Sequence, residues 1–246
     1  GVPVDAIGVM LNLTVVWPSS SGYLTVYPCG DSRPQTSNLN FSARRTTSNA
    51  VLAMPGDDGS VCIYSTARTG VVADVQGYVA HDSSMVPLPS VRLLDTRVRG
   101  SEAASGSTIE LQVGDRGGVA ADAEAVALNL IAVDPAATGH LIVFACDDER
   151  PLASSLNYDT NQTRSTLVFT KTDDRGRVCI YTSAKTHIVA DVQAQVVSRS
   201  SKIATTIARL LDTRAGHPTV DGLHEDSRTV RAPRTVALEV NGRADV

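Results

Sequence analysis

Arg92-Leu93-Leu94-Asp95-Thr96-Arg97 returns, residue for residue, as Arg209-Leu210-Leu211-Asp212-Thr213-Arg214, 117 residues later. The same offset works outward from it. Met10-Leu11-Asn12-Leu13 meets Ala127-Leu128-Asn129-Leu130, and Val61-Cys62-Ile63-Tyr64 meets Val178-Cys179-Ile180-Tyr181. Ala73-Asp74-Val75-Gln76 meets Ala190-Asp191-Val192-Gln193, so residues 1–97 overlay 118–214 without a gap. A fixed offset held over such a length is the mark of a tandem duplication. Past Arg214 the copies lose phase through a stretch rich in Gly, Pro, His, Asp and Arg, which reads as an inserted loop. Phase returns at Thr235–Val240, which matches Thr108–Val113. The chain therefore holds two periods, 1–117 and 118–246. A repeat does not say where its unit begins. A unit starting near 91–97, with 208–214 and the tail completing the first module, is the alternative phase.

Within each period the pattern is that of strands. Val9, Leu11, Leu13 and Val15 alternate with Met10, Asn12, Thr14 and Val16. Pro18–Gly22 is a turn leading to Tyr23–Tyr27, and the two runs predict a hairpin. Asn49–Met54, the turn Gly56-Asp57-Asp58-Gly59 and Ser60–Ser65 predict a second. Val71–Val79 is a further β-branched run, and no segment sustains a 3.6-residue period. A fainter echo lies inside the module: Asn12, Pro18, Gly22 and Tyr27 recur as Asn49, Pro55, Gly59 and Tyr64. Adding the Leu93–Arg97 and Ile109–Val113 strands gives about eight per module, the number of a jelly roll. The expectation is an all-β chain of two tandem β-sandwich modules of jelly-roll type. A β-trefoil or β-prism, which would want three echoes, is the alternative.

The four cysteines fall two per period, Cys29 and Cys62, then Cys146 and Cys179, at the same spacing. Four cysteines allow three pairings. The repeat selects Cys29–Cys62 with Cys146–Cys179, because each module then closes its own loop; four buried thiols are the alternative. Zinc is a poor one, with no Cys-x-x-Cys and no paired His. Disulfides imply an oxidising compartment, hence secretion.

The bulk numbers exclude some classes. Hydrophobic residues make up 42% and charged residues 20% of 246, and the net charge is −4, with pI about 5.7. This offers no clustered basic footprint for nucleic acid. No apolar run reaches the roughly 20 residues of a membrane helix. The opening Gly1-Val2-Pro3-Val4-Asp5 reads as a mature or trimmed product.

The motifs Leu93–Arg97, Gly22-Tyr23-Leu24-Thr25-Val26-Tyr27-Pro28-Cys29, Ser37-Asn38-Leu39-Asn40-Phe41, Val61–Ser65 and Val72–Tyr78 carry a resemblance. The chain resembles, over nearly its whole length, a repeat module of secreted actinobacterial proteins that is often appended to extracellular hydrolases. The second copy departs at the acidic run Asp147-Asp148-Glu149 and at Ala194-Gln195, which stand where the first has Gly77-Tyr78. The resemblance implies a secreted accessory module and brings no catalytic residues.

Candidate sites must be weighed against structural roles. Asp95 with Arg97, and Asp212 with Arg214, share a strand face at i and i+2. They read as an ion pair closing a strand corner, or as a polar sugar site in which Asp accepts and Arg donates. Asn40 with Asn157, and Asp74 with Asp191 (beside Gln76 and Gln193), either line a groove or form a solvated sheet face. No His occupies equivalent positions in both copies, which speaks against a duplicated catalytic machine. Asp-Gly turns need no metal, and Arg175 stands where the first copy has Asp58. Aromatics are 4% with a single Trp, Trp17, at a turn; no row of aromatics is visible for a flat polysaccharide. These readings lead to a non-enzymatic binding module without cofactor or metal. Its expected target is a carbohydrate or other cell-surface component, and a structural assembly subunit acting through protein–protein contacts is the alternative.

Overall fold

The computed structural model describes residues 1–98, 100–151, 154–197, 203–204, 208–213, 215–216, 219, 221–224 and 234–240. The described residues form seventeen strands and no helix. The first unit holds β1 (Gly8–Val16), β2 (Gly22–Pro28), β3 (Leu39–Phe41), β4 (Thr47–Ala53), β5 (Ser60–Ser65) and β6 (Gly70–Val79). Next come β7 (Met85–Asp95), β8 (Thr108–Gln112), β9 (Ala125–Val133), β10 (Gly139–Ala145), β11 (Leu156–Tyr158), β12 (Arg164–Lys171), β13 (Arg177–Thr182) and β14 (His187–Val196). The tail adds β15 (Ile203–Ala204), β16 (Ala208–Asp212) and β17 (Arg234–Glu239).

The chain divides into two compact units, Gly1–Pro87 with Arg199–Val246, and Leu88–Ser198. The second is contiguous. One of its sheets runs β12-β9-β14-β7 and the other β11-β10-β13-β8. Counted along the chain, its first strand pairs with its eighth, second with seventh, third with sixth and fourth with fifth. That nesting is a jelly roll, a long antiparallel ribbon folded over on itself. The first unit has the same nesting only if its count starts in the tail. There β16 pairs with β6, β17 with β5, β1 with β4, and β2 with β3. Its first two strands are thus its last in sequence. The strands from the end of the first period, β7 and β8, lie in the second unit's sheets instead.

The cores follow from strand alternation. In the first unit Val9, Leu11, Leu13 and Val15 of β1 meet Leu24 and Val26 of β2, Val61 and Ile63 of β5, and Leu211 and Leu238 from the tail. The equivalent core of the second unit includes Val126, Leu128, Leu130, Leu141, Val143, Val178, Ile180 and Leu93. Each unit carries its own disulfide, Cys29–Cys62 and Cys146–Cys179.

The two hairpins expected from the turns are not formed. β1 and β4 pair with each other, while β2 and β5 pair with each other in the opposite sheet. Pro18–Ser21 and Gly56–Gly59 carry the chain across the core from one sheet to the other. The internal echo now has a physical meaning. Each echo unit is one strand–crossing–strand arch, and the two arches pair antiparallel, strand for strand. At the second arch a Cβ on Gly56 would sit 2.1 Å from the Cys29 carbonyl oxygen, so only glycine fits.

Candidate functional site

In β2, Leu24 and Val26 point into the core, so Tyr23, Thr25 and Tyr27 lie on the outer face. In the register, Tyr23 stands opposite Asn40 of β3, and Thr25 opposite Tyr64 of β5. Thr235 of β17 continues the row beyond Tyr64. The outer face of this sheet therefore gathers three tyrosines with Asn40. Above it the Arg33 guanidinium carbon lies 3.7 Å from the Tyr64 ring centroid. Such a cation–π contact contributes about 0.5–1 kcal/mol at an exposed site.

Arg33 is held there by a loop tied at both ends. The Cys29–Cys62 bridge anchors its start. At its end Thr25 Oγ1 donates to the Thr36 carbonyl at 2.7 Å, and Asn38 Oδ1 accepts from the Val26 N–H at 2.7 Å. Asn38 is itself buried and donates its N–H to the Leu24 carbonyl. Asn40 Nδ2 donates to Ser37 Oγ at 3.0 Å, which orients its amide.

The second unit repeats the arrangement. The Arg150 guanidinium carbon lies 3.9 Å from the Tyr181 ring centroid. Asn157 stands opposite His140, whose ring centroid is 6.1 Å from that of Tyr181. Phe144 takes the place of Tyr27, and Ile142 that of Thr25. The loop is tied in the same way: Cys146–Cys179 at one end, and Ser155 Oγ accepting the Val143 N–H at 3.0 Å at the other. A guanidinium on a tyrosine, two further rings and an edge-strand asparagine opposite one of them thus recur at equivalent positions. Stacking surface for C–H faces together with amide and guanidinium donors is the chemistry that holds a saccharide.

The other predicted residues lie elsewhere. Asp95, at the end of β7, is only 8% exposed in its side chain. It accepts from Arg97 Nε at 2.9 Å and Nη2 at 2.6 Å, from the Arg97 backbone N–H at 3.0 Å, and from Arg92 Nη1 at 3.1 Å. The hydrogen bonds from Arg97 hold the Asp95 carboxyl below its ordinary pKa, against the upward push of burial, with help from Arg92. Arg92 turns its Nε to Asp191 Oδ1 at 2.9 Å and its Nη2 to Oδ2 at 3.3 Å. Asp191 alternates with Ala190 and Val192 of the core, so it lies on the outer face of its sheet, where it is fully buried. The chain Asp191–Arg92–Asp95–Arg97 is one ion-pair network. It belongs to the sheet opposite the one that carries Asn157.

Next to it Thr96 closes the corner. Its Oγ1 accepts the Ile188 N–H at 3.0 Å, and its own N–H donates to the Ile188 carbonyl. Thr213 does the same for Val71, its Oγ1 accepting the Val71 N–H at 2.7 Å. In the first unit the strand register sets Arg209 opposite Asp74 and Asp212 opposite Val72. Asp74 is half-buried. The Asp212 side chain and Arg214 lie outside the described residues. Asn40 and Asp74, like Asn157 and Asp191, therefore sit on opposite sheets, and the structure does not join them in one groove.

A 4% aromatic content hides the tyrosine row, because composition does not say which face a ring occupies. The signal is the alternation Tyr23-Leu24-Thr25-Val26-Tyr27, which puts both rings on the face away from the core. No three His, Cys, Asp or Glu side chains gather as a metal-holding group among the described residues. No described helix is long and apolar enough to cross a membrane. Comparison with known protein families, with curated proteins and with solved structures finds no match to this chain.

Proposed function

We propose that this chain is a secreted, non-catalytic, lectin-like protein that binds glycans of a cell surface or cell wall through two copies of one face. The observation that carries the reading is the recurrence of the Arg–Tyr stack, Arg33/Tyr64 and Arg150/Tyr181, with an asparagine on the edge strand of the same sheet, Asn40 and Asn157, at the same places in both units. An arginine lying over a tyrosine on an outer sheet face adds only about 0.5–1 kcal/mol to the fold. A sugar does use such a surface: its C–H face packs on the rings while its hydroxyls meet the amide and guanidinium. Two weak sites on one chain favour a repetitive target, since avidity can exceed single-site affinity by about a hundredfold or more. The paired disulfides and the resemblance to modules of secreted actinobacterial proteins support an extracellular setting.

A glycan array combined with a pull-down on intact cell walls tests this. The reading expects saccharide hits and wall binding that free sugar competes away. Capture of one protein partner with no glycan hit would overturn it in favour of an assembly subunit.

A further inference from the structure

The structure assigns a second, separate ligand site to the first unit: an open pocket around Trp17 that takes the carboxylate-bearing ring of an acidic saccharide. Trp17 follows β1 at the start of the first arch, with φ of 46° and 70% of its surface exposed. Positive φ is a strained conformation for a bulky L-residue. Asp134 occupies the equivalent position in the second unit with the same φ of 46°. The bend therefore belongs to the fold, and a small polar residue fills it at lower strain. The first unit instead places there the only tryptophan of the chain, and leaves it in solvent. Neither backbone preference nor burial explains that choice.

The surroundings do. Trp17 borders a pocket of about 420 Å³ with Val16, Ser19, Arg68, Gly70, Thr213 and Ala215. That volume lies within the roughly 300–1,000 Å³ of small-molecule sites. Its wall is tied together: the Ser19 N–H donates to the Arg68 carbonyl at 2.8 Å, and Thr213 is bound to Val71 through both its N–H and its Oγ1. Arg68 is exposed, and no carboxylate pairs with it among the described residues. Among the described residues the lining holds a stacking ring, two hydroxyls and a guanidinium, and no acidic side chain. Unlike Arg33 and Arg150, which lie over tyrosine rings, Arg68 has no described carboxylate paired with it, and such a guanidinium beside an indole suits an anionic ring. This site is independent of the tyrosine face, which lies on the outer surface of the other sheet.

Because Trp17 is the only tryptophan, its fluorescence reports this pocket alone. The experiment titrates the full chain with glucuronate and with glucose, following tryptophan emission, and repeats the titration with Trp17-retaining Tyr64→Ala/Tyr181→Ala protein. Saturable change with glucuronate but not glucose, retained in the tyrosine double variant, is expected. Arg68→Gln should weaken glucuronate binding by about tenfold or more. Trp17→Asp, which installs the second unit's residue, should keep or raise the melting temperature while calorimetry shows the glucuronate heat gone. An emission spectrum unmoved by glucuronate, equal responses to both sugars, or full binding by Trp17→Asp would overturn the assignment. Loss of the response only in the tyrosine double variant would return the site to the other face.

Discussion

Asp95→Ala separates scaffold from site, and its cost can be worked from the network. The substitution removes four hydrogen bonds: two from the Arg97 guanidinium, one from the Arg97 backbone N–H and one from Arg92. Arg97 is 46% exposed, so its side-chain bonds count as a surface ion pair and contribute roughly 0–1 kcal/mol. The backbone bond adds about 0.5–1.5 kcal/mol, and the charged bond from the partly exposed Arg92 about 1.5 kcal/mol, the low end for a charged group. Arg92 keeps Asp191, so it is not orphaned and the full 3–5 kcal/mol of a broken buried pair is not reached. The expected loss is about 2–4 kcal/mol, confined to the Leu88–Ser198 unit. Urea unfolding followed by circular dichroism should show a lower midpoint with the slope unchanged. The effect also depends on pH. Asp95 has a folded pKa below its ordinary 3.8. Its contribution is therefore complete above about pH 4 and is lost as pH falls through the lowered folded value. Wild type and variant should converge in strong acid. Equal midpoints at neutral pH would refute the reasoning and return Asp95 to the list of ligand-binding candidates.

Two other perturbations test the architecture. Deleting residues 199–246 removes β15, β16 and β17 and with them the fully buried Leu211, Leu238 and Val240. At about 1.5–3 kcal/mol each, the loss approaches the whole stability of a domain. Gly1–Pro87 should unfold while Leu88–Ser198 keeps slow amide exchange; protection retained in both would contradict the closure by the tail. Thr96→Val should cost about 1–3 kcal/mol, because it leaves the buried Ile188 N–H without its side-chain acceptor, and Thr213→Val should do the same for Val71; thermal melts of the two variants read this directly.

Much of this was legible in the chain, for reasons that differ by residue. Leu11 and Leu13 announce strands because period-two burial is written locally. The cysteine pairing was legible because the repeat places Cys146 and Cys179 where it places Cys29 and Cys62. The connections were not. Pro18–Ser21 and Gly56–Gly59 have the same turn chemistry whether the next strand pairs with the last or crosses to the other sheet, and only distant partners decide which. Thr96 shows the same limit for the phase: its partner Ile188 lies far along the chain, and no local pattern names it. Asp95 and Arg97 were found as a pair, but Arg92, which links them to the buried Asp191, was not anticipated. Of the polar positions singled out, Asn40 and Asn157 lie on the face now proposed to bind. Arg33 and Arg150 escaped notice because a loop arginine gains meaning only when the ring beneath it is known.

Removing the rings one and two at a time decides whether both units present the same glycan-binding face. Tyr64→Ala, Tyr181→Ala and the double variant would be measured on an immobilised saccharide chosen from the array, by surface plasmon resonance at matched protein concentration. Tyr64 and Tyr181 are each half-buried on an outer face, away from the cores, so circular dichroism should be unchanged. Each single variant should dissociate faster as avidity is lost, and the double variant should no longer bind. A folded double variant that is retained like the wild-type chain would contradict the shared glycan-binding face.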